Sequence, residues 1–261
     1  MSDSEPVRYA LEGNIATITI DRPHRKNALS VEAMNALADA WERVEKDALV
    51  RVAILTSADC GVFSAGLDLK QASEIRARDG VDILTLMRDP MQTTMRKVTK
   101  PIVAAMTGSL MAGGMLLALQ CDLRVGLSGT RAGITEVRMG RGTPWAVPLL
   151  WMLPQPLLLE LVLTGEMMPI ERLAEFGFIN YLESTPDAVR ARARRLADKI
   201  VEGAPLSVKA AKASILAGMD LGCARGLIEA NQLHIAIYAS LDAIEGPRAF
   251  AEKRKPVWQG R

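Results

Sequence analysis

Residues 107–122 read TGSLMAGGMLLALQCD. A glycine pair, Gly113 and Gly114, stands between apolar stretches, and five of the six residues from Met115 to Gln120 are apolar. Before it, PIVAAMTG (101–108) has the length and composition of a buried strand and opens on a proline, where a strand can start. GGMLLALQ reads as helix, and DLRVGL (122–127) as the next strand. Strand, glycine turn, helix and strand make a βαβ unit, so this stretch predicts a largely parallel sheet. It carries no acid or base before Asp122. Any chemistry here falls to the backbone, because a helix start offers unpaired N–H donors and a dipole that favours negative charge. Tight helix-on-sheet packing accounts for a glycine pair equally well.

The flanks extend the pattern. IATITI (15–20) alternates β-branched residues and reads as a strand, and DRPHRKN breaks it. Ser30 is placed to cap a helix in which Val31, Met34, Leu37, Trp41 and Val44 recur at helical spacing. RVAILTS (51–57) is another buried-strand run. Residues 71–97 are charged and poorly patterned and predict a helical or mobile surface excursion. Beyond about residue 155 the pattern is helical, with Gly165 placed as a C-cap. The expectation is an α/β core over 1–190 and a helical region over 191–261, within one functional unit. The helical region must bury its apolar stripe on the core, on another subunit, or on both.

Composition narrows the function classes. Among 261 residues, 49% are apolar and 24% charged, and 32 Lys and Arg balance 30 Asp and Glu. That balance argues against a nucleic-acid or membrane-surface partner. Cys60, Cys121 and Cys223 are far apart, which fits a reducing compartment and no disulfide framework. MSDSEP does not read as a signal or transit peptide, and the apolar runs are too broken to span a bilayer, so a cytoplasmic location is expected. The two histidines, His24 and His234, have no cluster of ligands around them, so no metal is expected. GxGxxG is absent, so no nicotinamide cofactor is implied.

A second backbone feature lies in FSAGLDLK (63–70), where Ala65 and Gly66 follow Phe63 just past a strand. Such a turn can present N–H groups outward, although an ordinary strand-to-helix turn looks the same. Taken together, KNALS (26–30), FSAGLDLK, KPIVAAMTGSLMAGGMLLALQCDLR (100–124), ITEVRMG (134–140), LVLTGEMMPIERLAEFGFIN (161–180) and FAEKRKP (250–256) closely resemble the crotonase superfamily, the enoyl-CoA hydratase/isomerase group. The pieces occur in the family's order and cover essentially the whole chain.

The resemblance implies an α/β crotonase-like spiral of ββα units with a C-terminal helical trimerisation region, and a homotrimer or homohexamer. It implies an acyl-CoA thioester substrate, with coenzyme A part of that substrate and no separate cofactor. The N–H groups of Ala65 and Gly113 would form an oxyanion hole for the thioester enolate. Glu136 would move protons. Lys26, Ala28, Phe250 and Lys253 would meet the CoA, the last two in some members from a neighbouring subunit. Leu67, Leu116 and Trp145 would line the acyl pocket, and Asp68 and Asp122 would hold loops.

Two departures bear on the reaction. Hydratases of the family typically carry two glutamates, and the first falls here on Leu116. GTPWAVPLL (142–150) replaces the usual glycine-rich run, placing Trp145 where it either narrows the pocket or is ordinary core. A single glutamate suits an isomerase that takes a proton from C2 of a 3-enoyl-CoA and returns it to C4. Hydration with one glutamate is the alternative, and a non-catalytic acyl-CoA-binding protein is the rival from another class.

Overall fold

The computed structural model describes residues 5–261. The chain opens with a hairpin of β1 (Val7–Glu12) and β2 (Ile15–Ile20), then α1 (Val31–Lys46) and β3 (Val52–Ser57). β4 (Val62–Ser64) leads into α2 (Leu69–Asp79), and short 3₁₀ and π turns over 83–97 lead to β5 (Ile102–Met106). β6 (Ser109–Met111), α3 (Gly113–Leu119), β7 (Leu123–Leu127) and β8 (Arg131–Gly133) follow. Two 3₁₀ segments, Glu136–Met139 and Pro144–Trp151, precede α4 (Gln155–Thr164), β9 (Met168–Pro169), α5 (Ile170–Glu175) and β10 (Tyr181–Glu183). The chain closes with α6 (Pro186–Glu202), α7 (Pro205–Tyr238) and α8 (Leu241–Ala251).

The main sheet has the order β1-β2-β3-β5-β7-β10 and is parallel except for the β1–β2 hairpin. Every residue of β3 and β5 is buried, as expected for strands covered on both faces. Trp41 and Leu37 of α1 belong to the core on one face, and Val189, Ala193 and Ala197 of α6 pack with Ile54, Val103 and Val125 on the other. A second sheet, β4-β6-β8-β9, runs beside it. Each central strand of the first sheet is followed by a short strand of the second: β3 by β4, β5 by β6, β7 by β8. Two of these pairs then enter a helix, α2 or α3, which generates the ββα spiral. β1 is absent from the sequence reading, although Val7, Tyr9 and Leu11 alternate ahead of a Gly13-Asn14 turn.

The boundary expected at 190/191 falls inside α6, whose apolar face belongs to the core. The region that departs from the sheet begins at α7, bent where Gly222 takes φ 76°. At the bend the two arms of α7 touch, and a Cβ on Gly226 would lie 2.5 Å from the Gly218 Cα. Among the described residues no helix is long and apolar enough to cross a membrane.

A buried arginine ties α3 to the sheet. Arg124 is 7% exposed and donates to the carbonyls of Phe178, Ala118 and Cys121, with its guanidinium over the Phe178 ring. Arg124→Ala strands the buried Phe178 and Cys121 carbonyls, while that of Ala118 keeps the Cys121 N–H, and opens a cavity. The expected loss is about 3 kcal/mol, the order found when buried charged hydrogen bonds are cut, and urea unfolding of both proteins measures it.

Candidate active site

The glycine pair sits where the sequence places it, at the first turn of α3. Ala112, the residue before it, takes φ 51° and ψ −120°, a conformation that costs a non-glycine residue of order 1–3 kcal/mol. The strained residue is held from both sides: its N–H donates to Gly133 at 3.0 Å, and its carbonyl accepts from Met115 at 2.9 Å and Leu116 at 3.1 Å. The Gly113 N–H then makes no hydrogen bond among the described residues. Gly114 lets α3 start against β4, since a Cβ there would meet the Ser64 carbonyl oxygen at 2.4 Å.

The segment 65–68 approaches the same point. Gly66, at φ 76°, abuts α3 so closely that a Cβ on it would lie 2.9 Å from the Gly113 nitrogen. Here one assignment changes. The resemblance gives the first donor to Ala65, but the Ala65 N–H donates to the Lys26 carbonyl at 3.1 Å and is occupied. Residues 26–29 run parallel to 65–68, with Leu29 N–H on the Gly66 carbonyl (2.7 Å) and Asp68 N–H on the Leu29 carbonyl (3.0 Å). That pairing uses the groups either side of Leu67 and turns the Leu67 N–H to the opposite side, where it has no acceptor among the described residues. The two uncommitted donors flanking the Gly66–Gly113 contact are therefore Leu67 and Gly113. Ala65 lines the cavity beside them.

These groups open into a cavity of about 750 Å³, also lined by Leu116, Trp145 and Glu136. Leu116 is 5% exposed and Trp145 8%, so Trp145 serves as pocket wall as well as core. Glu136 begins its 3₁₀ turn, and its Oε2 is buried without a hydrogen-bond partner among the described residues. Burial pushes its carboxyl above the ordinary range; the Trp145 indole and nearby backbone N–H groups pull the other way without cancelling the effect. A cavity-lining carboxyl with a raised pKa and one unpartnered oxygen, sharing that cavity with two free N–H donors, is equipped to take and return a proton.

The remaining expected residues are dispersed. Lys26 and Ala28 belong to the segment that pairs with 65–68, behind the cavity, and it is Leu29 of that segment that lines it. Phe250 and Lys253 lie near and just past the end of α8, away from this lining, and Phe250 is 87% exposed. A single chain does not bring them to the site. Asp68 caps α2 by accepting from Gln71 N–H and pairs with Arg22 at 3.0 Å. Asp122 accepts from Ile102 N–H at 2.7 Å and pairs with Lys212 at 2.8 Å. Sequence reasoning did not find Ala112, whose role is invisible without φ and ψ. Nor did it find Arg141, which lies on the cavity wall next to the quoted ITEVRMG motif.

No group of three or more potential metal ligands occurs among the described residues. Comparison with known proteins agrees with the geometry. The family model described as enoyl-CoA hydratase/isomerase matches residues 10–261. The chain is 34% identical to the (E)-benzylidenesuccinyl-CoA hydratase of Thauera aromatica, over 98% of this chain and 99% of that one. It is 34% identical to the carnitinyl-CoA dehydratase of Salmonella typhi, over 99% and 100%. The solved structure of an enoyl-CoA hydratase from Mycobacterium tuberculosis H37Rv superimposes with a TM-score of 0.87 at 34% identity, covering 99% of this chain and 100% of that one. With the ββα spiral, the paired free N–H groups and these likenesses in hand, the chain belongs to the enoyl-CoA hydratase/isomerase family and has the crotonase fold.

Proposed function

We propose that the protein isomerises an enoyl-CoA, with Glu136 as the single proton-transfer group and the N–H groups of Leu67 and Gly113 holding the thioester oxygen. The observation that carries this reading is that Glu136 lines the cavity with one buried carboxyl oxygen unpartnered, while Leu116, where hydratases of the family carry their other glutamate, offers no second acid. The Glu136 carboxylate removes a proton from C2 of a 3-enoyl-CoA. The electron pair moves onto the thioester oxygen, where two preorganised donors stabilise it, each worth roughly 10²–10³ in rate. Collapse of the dienolate with return of the same proton to C4 leaves the double bond at C2–C3. The apolar part of the lining, which includes Leu29, Leu116 and Trp145, holds water back and strengthens the two hydrogen bonds.

Hydration with one glutamate is the second reading, favoured by the names of the relatives, which include a hydratase and a dehydratase. Offering trans-2-enoyl-CoA and cis-3-enoyl-CoA side by side, and following the conjugated thioester optically, separates the two. Conjugation gained from the 3-enoyl compound with the 2-enoyl compound untouched supports isomerisation. Conjugation lost from the 2-enoyl compound means water is added and overturns it. Silence with both favours an acyl-CoA-binding role.

Binding of the CoA moiety by Lys26, Ala28, Phe250 and Lys253 is part of the same proposal, with a neighbouring copy supplying the last two, and so is a cytoplasmic location. Ile215, Ile235, Tyr238 and Ile244 of α7 and α8 are each more than 60% exposed, an apolar surface that other copies of this chain would cover. The expected assembly is a trimer or hexamer. Sedimentation at the mass of one 28.3 kDa chain contradicts it.

A further inference from the structure

The cavity has two walls that come from different parts of the chain. One is the segment 82–92 after α2. Arg88 fastens it to α1: its N–H donates to Asn35 Oδ1 at 3.0 Å, and its guanidinium pairs with Asp39 and Glu42. The other wall is the 3₁₀ turn bearing Glu136, together with Arg141. Arg141 Nη2 meets Asp82 Oδ2 at 3.1 Å and joins the two walls. Asp82 is itself fixed, because its other oxygen accepts from Leu84 N–H at 3.0 Å. On the opposite side the Arg141 N–H donates to the Glu136 carbonyl at 3.0 Å. One residue therefore reaches the backbone of Glu136 with its own backbone and the facing wall with its side chain.

Global stability does not explain this ion pair. Its side chains are 31% and 44% exposed, and such pairs contribute about 0–1 kcal/mol. We infer that Arg141 is a positioning residue for Glu136, and that its pairing with Asp82 locks the turn carrying that carboxyl to the 82–92 wall and keeps water off it. The inference rests on Glu136 being the proton-transfer group.

Burial is the cause of the high carboxyl pKa at Glu136, so a loosened wall that admits water lowers it. The charged groups around Glu136 are Asp82, Arg88 and Asp89 on the facing wall, Arg138 and Arg141 on its own segment, and Glu160 and Glu166 on or after α4. Glu160 and Glu166 are paired with Arg172 and Arg138. A purely Coulombic influence has a distinct signature. Removing the positive Arg141 would raise the Glu136 midpoint, whereas removing the negative Asp82 would lower it. Unlocking lowers it in both.

The test is a ¹³C NMR titration of the Glu136 carboxyl, assigned by its loss in Glu136→Gln, in the wild type, Arg141→Ala and Asp82→Asn. Asn at 82 keeps an acceptor for the Leu84 N–H. Both single variants are expected to move the midpoint down. Both should also lower kcat about tenfold with a smaller change in KM, less than the ~10²-fold that a misplacement of about 1 Å costs. The double variant should be no slower than the slower single, and Arg141→Lys should recover most of the rate. Midpoints shifting in opposite directions, no shift at all, or losses that multiply in the double variant overturn the inference. If instead Glu136→Gln retains wild-type turnover, it is the underlying assignment of the base that fails, and the titration, which needs no substrate, shows separately whether the lock exists.

Discussion

Glu136→Gln is expected to lower kcat by about 10³-fold, within the 10²–10⁴ range for loss of a positioned general base, while the protein stays folded. Glutamine matches glutamate in shape, so the cavity and the two N–H donors keep their places, and KM should change little. Stability moves the other way from activity. The folded-state pKa of Glu136 is raised by burial, so between the unfolded and folded values the native protein holds a proton that the unfolded chain releases. Stability therefore falls as pH rises through that window and stays lower above it, because a buried, unpaired carboxylate is then ionised. A neutral glutamine carries no such penalty, so the variant should melt at or above the wild-type temperature near pH 7. The same shift places the acidic limb of the wild-type kcat/KM profile above the ordinary carboxylate range, since the base works only when ionised. Steady-state kinetics with the processed enoyl-CoA, alongside thermal melts at several pH values, test all of this. A variant with wild-type kcat removes Glu136 from the mechanism, and one that is inactive because it is unfolded is recognised by its melt.

Much of the site is legible in the sequence because the relevant chemistry is written in residue type. A glycine pair between a strand and a helix points to tight packing or a free backbone donor, and Gly114 makes the close approach against Ser64. Ser30 as a cap, Gly165 in the left-handed conformation at the end of α4, and the buried runs of β3 and β5 all follow from local rules. The donor two residues past Ala65 is different in kind. Which N–H in FSAGLDLK is free depends on which neighbours pair with residues 26–29, a contact across more than 30 positions that no local pattern reports. Arg141 and Asp82 are hidden for the same reason. Each looks like a solvated charge until the fold places them on opposite walls of one cavity. The short strands β4, β6, β8 and β9 are legible only as a set, since each is two or three residues long and exists because the others do.

Gly66→Ala should damage the pair of free N–H donors directly. Two penalties fall on it together. At φ 76° an alanine is strained by about 1–2 kcal/mol, and its Cβ would stand 2.9 Å from both the Gly113 nitrogen and the Ala112 Cβ. Neither neighbour can yield cheaply, because one is backbone and the other belongs to a residue already held at positive φ. Relief comes by separating residues 65–67 from the start of α3, which pulls the Leu67 and Gly113 N–H groups apart. Losing one such donor costs roughly 10²–10³ in kcat, and that is the expected fall. Gly80→Ala separates the causes: Gly80 has nearly the same conformation, φ 73°, and nothing within 4 Å of the added methyl. It should lose about 1 kcal/mol of stability and keep its turnover. A second readout bypasses turnover: the thioester carbonyl stretch of a bound 2-enoyl-CoA should move to lower frequency in the wild type, where two donors polarise it, and less so in Gly66→Ala. If Gly66→Ala loses no more activity than Gly80→Ala, or the carbonyl stretch is the same in both, then the contact between Gly66 and Gly113 does not set the oxyanion site. The thioester oxygen must in that case be held by other groups.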